Sequence, residues 1–194
     1  MPASDLSPGL RERKKARTRL AIRREAFRLF DAQGFRDTTV DQIAAAADVS
    51  PRTFYRYFSV KEAVLLSDDL TTPIVEAFVR APPGMAPVAA YRYAVQKVAG
   101  ALTPEQRQDA IAGQQMLYAI PEARGLLYTE YVRLIHLVTK ALGSRGGDPA
   151  DVLERRVIAG AIVGVLIASS DNTPLPEVET LSALDVLETK LRFR

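Results

Sequence analysis

The sequence predicts an all-α chain of about nine helices, with a small basic N-terminal domain followed by a larger helical one. Three observations carry that expectation. Apolar residues recur at spacings of three and four along most of the chain, and no segment alternates with the period of two that a strand needs. Helix starts are spelled out chemically, as Thr or Ser followed by Pro, or by Gln or Glu three residues on. Prolines and glycines cluster between the periodic segments, where helices must stop.

Residues 1–9 hold two prolines and a glycine but no periodic face, and are expected to be a disordered tail. A first helix is predicted over residues 10–33, with Ile22, Ala26, Leu29 and Phe30 as its inner stripe and Gly34 as a left-handed cap. Its opening half carries Arg11, Arg13, Lys14, Lys15, Arg17 and Arg19. Such a run reads either as a solvated basic face or as an arm lying along phosphates or in a minor groove.

The densest stretch follows. Thr39 with Gln42 reads as a capping box, Ser50 with Pro51 as a second helix start, and Ser59 with Glu62 as a third. Ile43, Ala44, Ala47 and Val49 give the first of these helices a small apolar face, and Asp48 sits where the chain must turn. In the second helix Phe54 and Phe58 fall four apart on one side, leaving Arg52, Thr53, Tyr55, Arg56 and Tyr57 over the rest. Short helix, tight turn and short helix make a helix-turn-helix, whose second member enters the major groove of duplex DNA.

Residues 60–80 read as one longer helix, interrupted by Pro73, and 81–87 as a proline-rich loop. The domains are therefore expected at 10–66 and 67–194. A helix over 87–102 follows with Val88, Tyr91, Val95 and Val98 inward, and Thr103, Pro104 and Gln106 open the next, to about residue 120. Pro121 opens a long helix over 121–142 bearing Leu127, Tyr131, Leu134, Val138 and Ala141, closed by Gly143, Gly146 and Gly147. Asp148 and Pro149 start another, to about residue 170, and after a loop over 171–176 a last helix carries Val178, Leu181, Leu184, Leu187 and Leu191. Residues 157–168 are apolar on every side and must be covered all round. Either they form a core helix of a monomer, or Val157, Gly160, Ala161, Gly164, Val165 and Ala168 pair with Leu181 and Leu184 in a four-helix seam with a second copy.

Composition narrows the chemistry. Cysteine is absent, which excludes disulfides and thiolate metal sites and fits a reducing cytoplasm. His136 is the only histidine and falls on a polar helix face, so neither a metal site nor a histidine-dependent triad is expected. The glycines at 143–147 follow a helix and lack the strand that precedes a nucleotide loop. No paired carboxylates stand out. No cofactor and no enzymatic activity are expected. The longest apolar run, over residues 157–168, is too short to span a bilayer, and the basic N-terminus lacks the apolar core of a secretory signal. Residues 1–60 carry twelve Lys and Arg against seven Asp and Glu, while 61–194 carry fourteen against sixteen, so positive charge is concentrated beside the helix-turn-helix.

Residues 30–40, Phe-Asp-Ala-Gln-Gly-Phe-Arg-Asp-Thr-Thr-Val, and 49–62, Val-Ser-Pro-Arg-Thr-Phe-Tyr-Arg-Tyr-Phe-Ser-Val-Lys-Glu, resemble the DNA-binding domain of the tetracycline-repressor (TetR) family, a likeness running over about 17–66. Asp48 stands where that pattern has glycine; aspartate tolerates positive φ, so little consequence is expected. The resemblance implies a homodimer whose partners are a palindromic DNA operator and a small hydrophobic effector, and a repressor. It places Tyr55, Tyr57 and Lys61 mainly on phosphates; side-chain chemistry assigns Arg52 and Thr53 to base edges and Arg56 to either, and Arg17, Thr39 and Val40 complete the expected DNA-contacting set. It also implies an effector pocket, for which Phe78, Tyr91, Met116, Leu117, Tyr118, Tyr131, Ile135, Ile162 and Leu166 are candidates, although aromatic and Met positions at helical spacing are more often plain core. More narrowly, residues 120–124, Asp148 with Pro149, and 155–159 resemble actinobacterial regulators linked to acyl-CoA-like ligands, including the mycofactocin-system regulator. The alternative is a helical carrier of the same fold without DNA-binding activity.

Overall fold

The computed structural model describes residues 8–66, 68–145, 151–169 and 177–190. Among them the chain forms nine α-helices and no strand, and it divides into two compact units, Met1–Leu66 and Ser67–Arg194.

In the first unit, α1 (Pro8–Gln33), α2 (Val40–Ala46) and α3 (Pro51–Tyr57) are followed by a short 3-10 helix, Lys61–Leu65. Helix α1 begins at Pro8, so the last two residues of the expected tail are helical; residues 1–7 lie outside the described residues. Ile22, Ala26, Phe27 and Phe30 from α1 close on Ile43, Ala44, Phe54, Phe58, Val64 and Leu65, all buried. Helix α1 stops at Gly34, whose φ of 85° only glycine adopts without strain and whose amide donates to the Phe30 carbonyl oxygen at 2.9 Å. Helix α2 opens with the full capping box: the Gln42 amide donates to Thr39 Oγ1 at 3.2 Å while the Thr39 amide donates to Gln42 Oε1 at 2.8 Å. Ser50 caps α3 by accepting from the Thr53 amide at 3.1 Å. Between the two helices Asp48 takes φ 52°, the left-handed turn expected of it.

The third start is different. Ser59 and Glu62 form no capping box; Val60 occupies the cap position without a side-chain hydrogen bond, and Lys61–Leu65 is a 3-10 helix rather than the first turns of a long helix. The break falls at Leu66, extended at φ −80° and ψ 133°, and not at Pro73, which lies inside α4 (Asp68–Val79). The Leu66 carbonyl accepts from the buried Arg23 guanidinium, so a bond from a distant helix occupies the oxygen that a continuing helix would use.

The second unit comprises α4, α5 (Pro87–Gly100), α6 (Pro104–Ala119), a one-turn 3-10 helix at Pro121–Ala123, α7 (Arg124–Ser144), α8 (Val152–Ser169) and α9 (Glu177–Lys190). Helices α7 and α8 pack together, as do α4 with α5 and α9 with both α5 and α8. Their core gathers Phe78, Tyr91, Ala94, Val138, Leu142, Ala159, Ile162, Leu184 and Leu187. Helix α6 opens with the expected Thr103–Gln106 capping box. Helix α7 continues through Gly143, which was expected to end it, and the Arg155 side chain lies across that glycine, within 3.3 Å of where a Cβ would stand. Asp151 caps α8, accepting from the Glu154 amide at 3.0 Å; Asp148, Pro149, Gly146, Gly147, the 171–176 loop and Leu191 lie outside the described residues.

Two apolar assignments change. Leu184, expected at a dimer seam, is fully buried in the core of its own unit, and Val178, expected on the same apolar stripe of the last helix, is 77% exposed. On α9 it is Thr180, Leu184 and Leu187 that face inward, with Thr180 Oγ1 2.9 Å from Ser169 Oγ of α8. Ser169 Oγ also donates to the Val165 carbonyl at 2.9 Å, which leaves it to accept from Thr180, and that buried bond between the two helices favours one rotation of α9.

Candidate nucleic-acid interface

Helix α3 is short, and its orientation rests on Phe54 and Phe58, buried to 0% and 2% exposure with ring centroids 5.5 Å apart. Burying each ring contributes about 1.5–3 kcal/mol, which favours the one rotation of the helix that turns both rings inward. With those rings inward, Arg52, Tyr55 and Arg56 are exposed and Thr53 and Tyr57 half-buried. The Thr53 hydroxyl lies 3.0 Å from the Ser50 hydroxyl, so it is already oriented by the cap. The Arg56 guanidinium lies 5.4 Å from the Tyr57 ring centre. Tyr55 is 56% exposed, an unusual state for so large a side chain in a small domain.

Beside this surface an open groove of about 690 Å³ is lined by Arg13, Lys14, Arg17, Thr18, Ala21, Ala47, Asp48 and Val49. It joins the basic half of α1 to the turn of the helix-turn-helix. Arg13, Lys14, Lys15 and Arg17 are all exposed; the side chain of Arg11 is outside the described residues. Thr39 is exposed and Val40 half-buried at the start of α2. Phosphate oxygens are what such a set of solvated cations, phenols and an exposed helix N-terminus would suit.

Two expected members are engaged elsewhere. The Arg19 guanidinium donates to the Tyr57 carbonyl at 3.0 Å and lies 4.3 Å from the Phe58 ring centre, so it is not part of the solvated arm. Lys61 donates to the Phe35 carbonyl at 2.6 Å and the Thr38 carbonyl at 2.9 Å, with its ammonium 4.1 Å from the Phe35 ring centre. Two of its three protons are thereby directed at backbone oxygens, leaving one for any phosphate.

The same device recurs in the second unit. Arg145 donates to the carbonyls of Phe78 at 2.7 Å and Met85 at 2.8 Å, and Arg107 to that of Ala99 at 2.8 Å, near the end of α5. These inward cations were missed because a lysine or arginine in a sequence carries no sign of which carbonyl it will meet. The only available signal is weak: Arg19 and Arg23 fall four apart, in line with the buried stripe of α1 rather than with its exposed side.

The expected effector residues do not form one group. Phe78, Tyr91 and Ile162 are in the packed core, with Ile135 and Leu166 against it; the Phe78 and Tyr91 rings meet edge to face at 5.7 Å. Met116, Leu117 and Tyr118 of α6 and Tyr131 of α7 are not members of that cluster. Burial pushes the Tyr91 phenol well above its ordinary pKa, so it stays protonated. On α8, Val157, Gly164 and Ala168 are exposed, Gly160, Ala161 and Val165 half-buried, and Ile167 is 45% exposed; on α9 Leu181 is half-buried and Val186 is 55% exposed. Among the described residues no cluster of three metal-ligating side chains occurs, and no helix is long and apolar enough to cross a membrane. His136 is exposed on α7.

A two-unit helical chain with a capped helix-turn-helix is the architecture of a family of bacterial regulators, and the comparisons agree. Residues 22–67 match the model of bacterial regulatory proteins of the tetR family, and residues 85–192 match that of the MftR C-terminal domain. The chain belongs to the TetR family, with a C-terminal domain of the MftR type. It is similar to the HTH-type transcriptional regulator TcmR of Streptomyces glaucescens, 42% identical over 65% of this chain and 57% of that protein. The HTH-type transcriptional regulator EthR of Mycolicibacterium smegmatis is 45% identical over 29% of this chain and 25% of its own. These matches span less than two thirds of either relative. Among solved structures, a TetR-like transcriptional regulator from Rhodococcus is 26% identical, with 97% of this chain and 100% of that one aligned and a TM-score of 0.44. Relatives of this kind are regulators and not enzymes.

Proposed function

We propose that this chain is a homodimeric, ligand-responsive repressor of transcription that binds a palindromic operator and acts in the cytoplasm. The observation that carries the reading is α3 itself, which turns Arg52, Tyr55 and Arg56 to solvent on a base of two buried phenylalanines, beside the exposed cations of α1. Arg52 and Thr53 are assigned to base edges, where bidentate arginine contacts to guanine give most discrimination, and Tyr55, Tyr57 and Lys61 to phosphates, with Arg56 on either. Arg17, Thr39 and Val40 flank them. Two copies of α3 would read half-sites about 34–36 Å apart, or a multiple of that.

The exposed aliphatic residues Val157 and Ile167 of α8 and Val178 and Val186 of α9 support a dimer through these helices, since side chains of that size gain most from being covered by a second copy. Membership of the TetR family and the MftR-type C-terminal domain support a hydrophobic effector in the second unit, with an acyl-CoA-like molecule as the narrower proposal. The effector releases DNA only by favouring one separation of the two reading heads over the other, a coupling of about 1–3 kcal/mol in typical cases.

The test is selection of bound sequences from random duplexes, followed by titration of the complex with salt and with candidate effectors. A palindromic consensus and a steep fall of affinity with ionic strength are expected. No duplex binding at low salt would leave a helical carrier in its place, and no release by long-chain acyl-CoA would remove only the narrower ligand.

A further inference from the structure

We infer that Arg19 is a positioning residue for the recognition helix: from α1 it holds the C-terminal end of α3, and so sets how Arg52 and Thr53 meet the bases. The inference rests on the DNA-binding reading above and deepens it. Helix α3 caps its own N-terminus through Ser50, but its C-cap, Phe58, is extended and has no side-chain oxygen or nitrogen to give. The last carbonyl of the helix, that of Tyr57, is among the four that every helix leaves without an internal partner. Arg19 supplies the donor, 3.0 Å away, and places its guanidinium 4.3 Å from the centre of the Phe58 ring. A planar cation that donates at its edge and stacks on its face constrains both the height and the tilt of the helix end; an ammonium could do only the first.

Arg52 lies five residues before Tyr57 in α3, about 7.5 Å along the axis at ~1.5 Å per residue. A tilt of about 10° about the Tyr57 end therefore moves the Arg52 backbone by about 1.3 Å, more than a bidentate contact to a base edge tolerates. Arg19 is half-buried, unlike Arg13, Lys14, Lys15 and Arg17, all exposed on the same helix. Its charge is thus spent inside the protein while theirs faces solvent.

The experiment compares the full-length wild type with Arg19→Met and Arg19→Lys on two probes: the duplex recovered by selection and a scrambled duplex of equal length. Helix content by circular dichroism is recorded for each. The expected result is that Arg19→Met keeps the wild-type affinity for the scrambled duplex and the wild-type dependence of affinity on salt, yet binds the selected duplex about tenfold or more less tightly. Arg19→Lys, which keeps the charge and one donor, recovers part of that loss. Should Arg19→Met fail to fold, Arg19→Lys carries the same comparison, with the selective loss expected in smaller measure. Equal weakening on both probes, with a salt slope shallower by about 0.9, would make Arg19 a phosphate ligand and overturn the inference. So would an unchanged ratio between the two probes. A wild type that binds neither probe overturns the DNA-binding reading and this inference together; a wild type that binds both while the variants match it overturns only the role of Arg19.

Discussion

Arg145 is joined to Phe78 twice over: its guanidinium donates to the Phe78 carbonyl at 2.7 Å and lies 4.9 Å from the centre of the Phe78 ring. Its other terminal nitrogen donates to the Met85 carbonyl at 2.8 Å, so one side chain holds the end of α4 and the loop that follows. Arg145→Met keeps the volume and removes two charge-assisted bonds at a site only 9% exposed. The expected cost is about 2–4 kcal/mol in unfolding free energy. Denaturant titration of both proteins checks it, and a loss under about 0.5 kcal/mol would show that the carbonyls find other donors.

At Asp48 the backbone, not the side chain, decides. Its φ of 52° is open to aspartate and easy for glycine, but strained for a β-branched residue. Asp48→Gly should therefore change stability by no more than about 0.5–1 kcal/mol, whereas Asp48→Val should cost about 1–2 kcal/mol although the site is exposed. Comparing the two melting curves tests the turn directly.

Tyr91 gives a signed dependence on pH. Burial raises its phenol pKa in the folded chain, so the folded state holds the proton more tightly than the unfolded one. The resulting stability is complete below the unfolded phenol's value of about 10 and is lost as pH climbs toward the folded one. Tyr91→Phe should carry no such loss, so its alkaline unfolding midpoint, followed by far-ultraviolet dichroism, should lie above that of the wild type.

Leu184 and Val157 were grouped by sequence and should part under mutation. Leu184→Ala empties a fully buried position and is expected to cost about 2–5 kcal/mol. Val157→Glu changes a residue 55% exposed, so helix content should hold while the sedimentation coefficient falls from that of a dimer to that of a monomer. A Val157→Glu chain that sediments like the wild type would remove α8 from the proposed seam.

Much of the molecule was legible because its signals are local. Thr39 with Gln42, Ser50 with Pro51, Thr103 with Gln106 and the glycine at 34 each act within one turn of a helix, and each forms as the residue types require. Phe54 and Phe58 are four apart and need only a common side to bury. The failures share the opposite character. Ser59 and Glu62 satisfy the same capping rule as Thr39 and Gln42, yet no box forms. The inward roles of Arg19, Arg23, Lys61 and Arg145 depend on carbonyls 38, 43, 23 to 26 and 60 to 67 residues away.

By itself, then, the order of residues determined that the chain is helical, where most helices begin, and which short helix offers arginine and tyrosine to solvent. Only the tertiary structure decided which cations remain outside, where the helix after the recognition element breaks, and which side of α9 is core. The physical reason is range: a cap or an apolar stripe is complete within a few residues, whereas an orphan carbonyl takes whichever donor the packed chain brings within 3 Å or so of it.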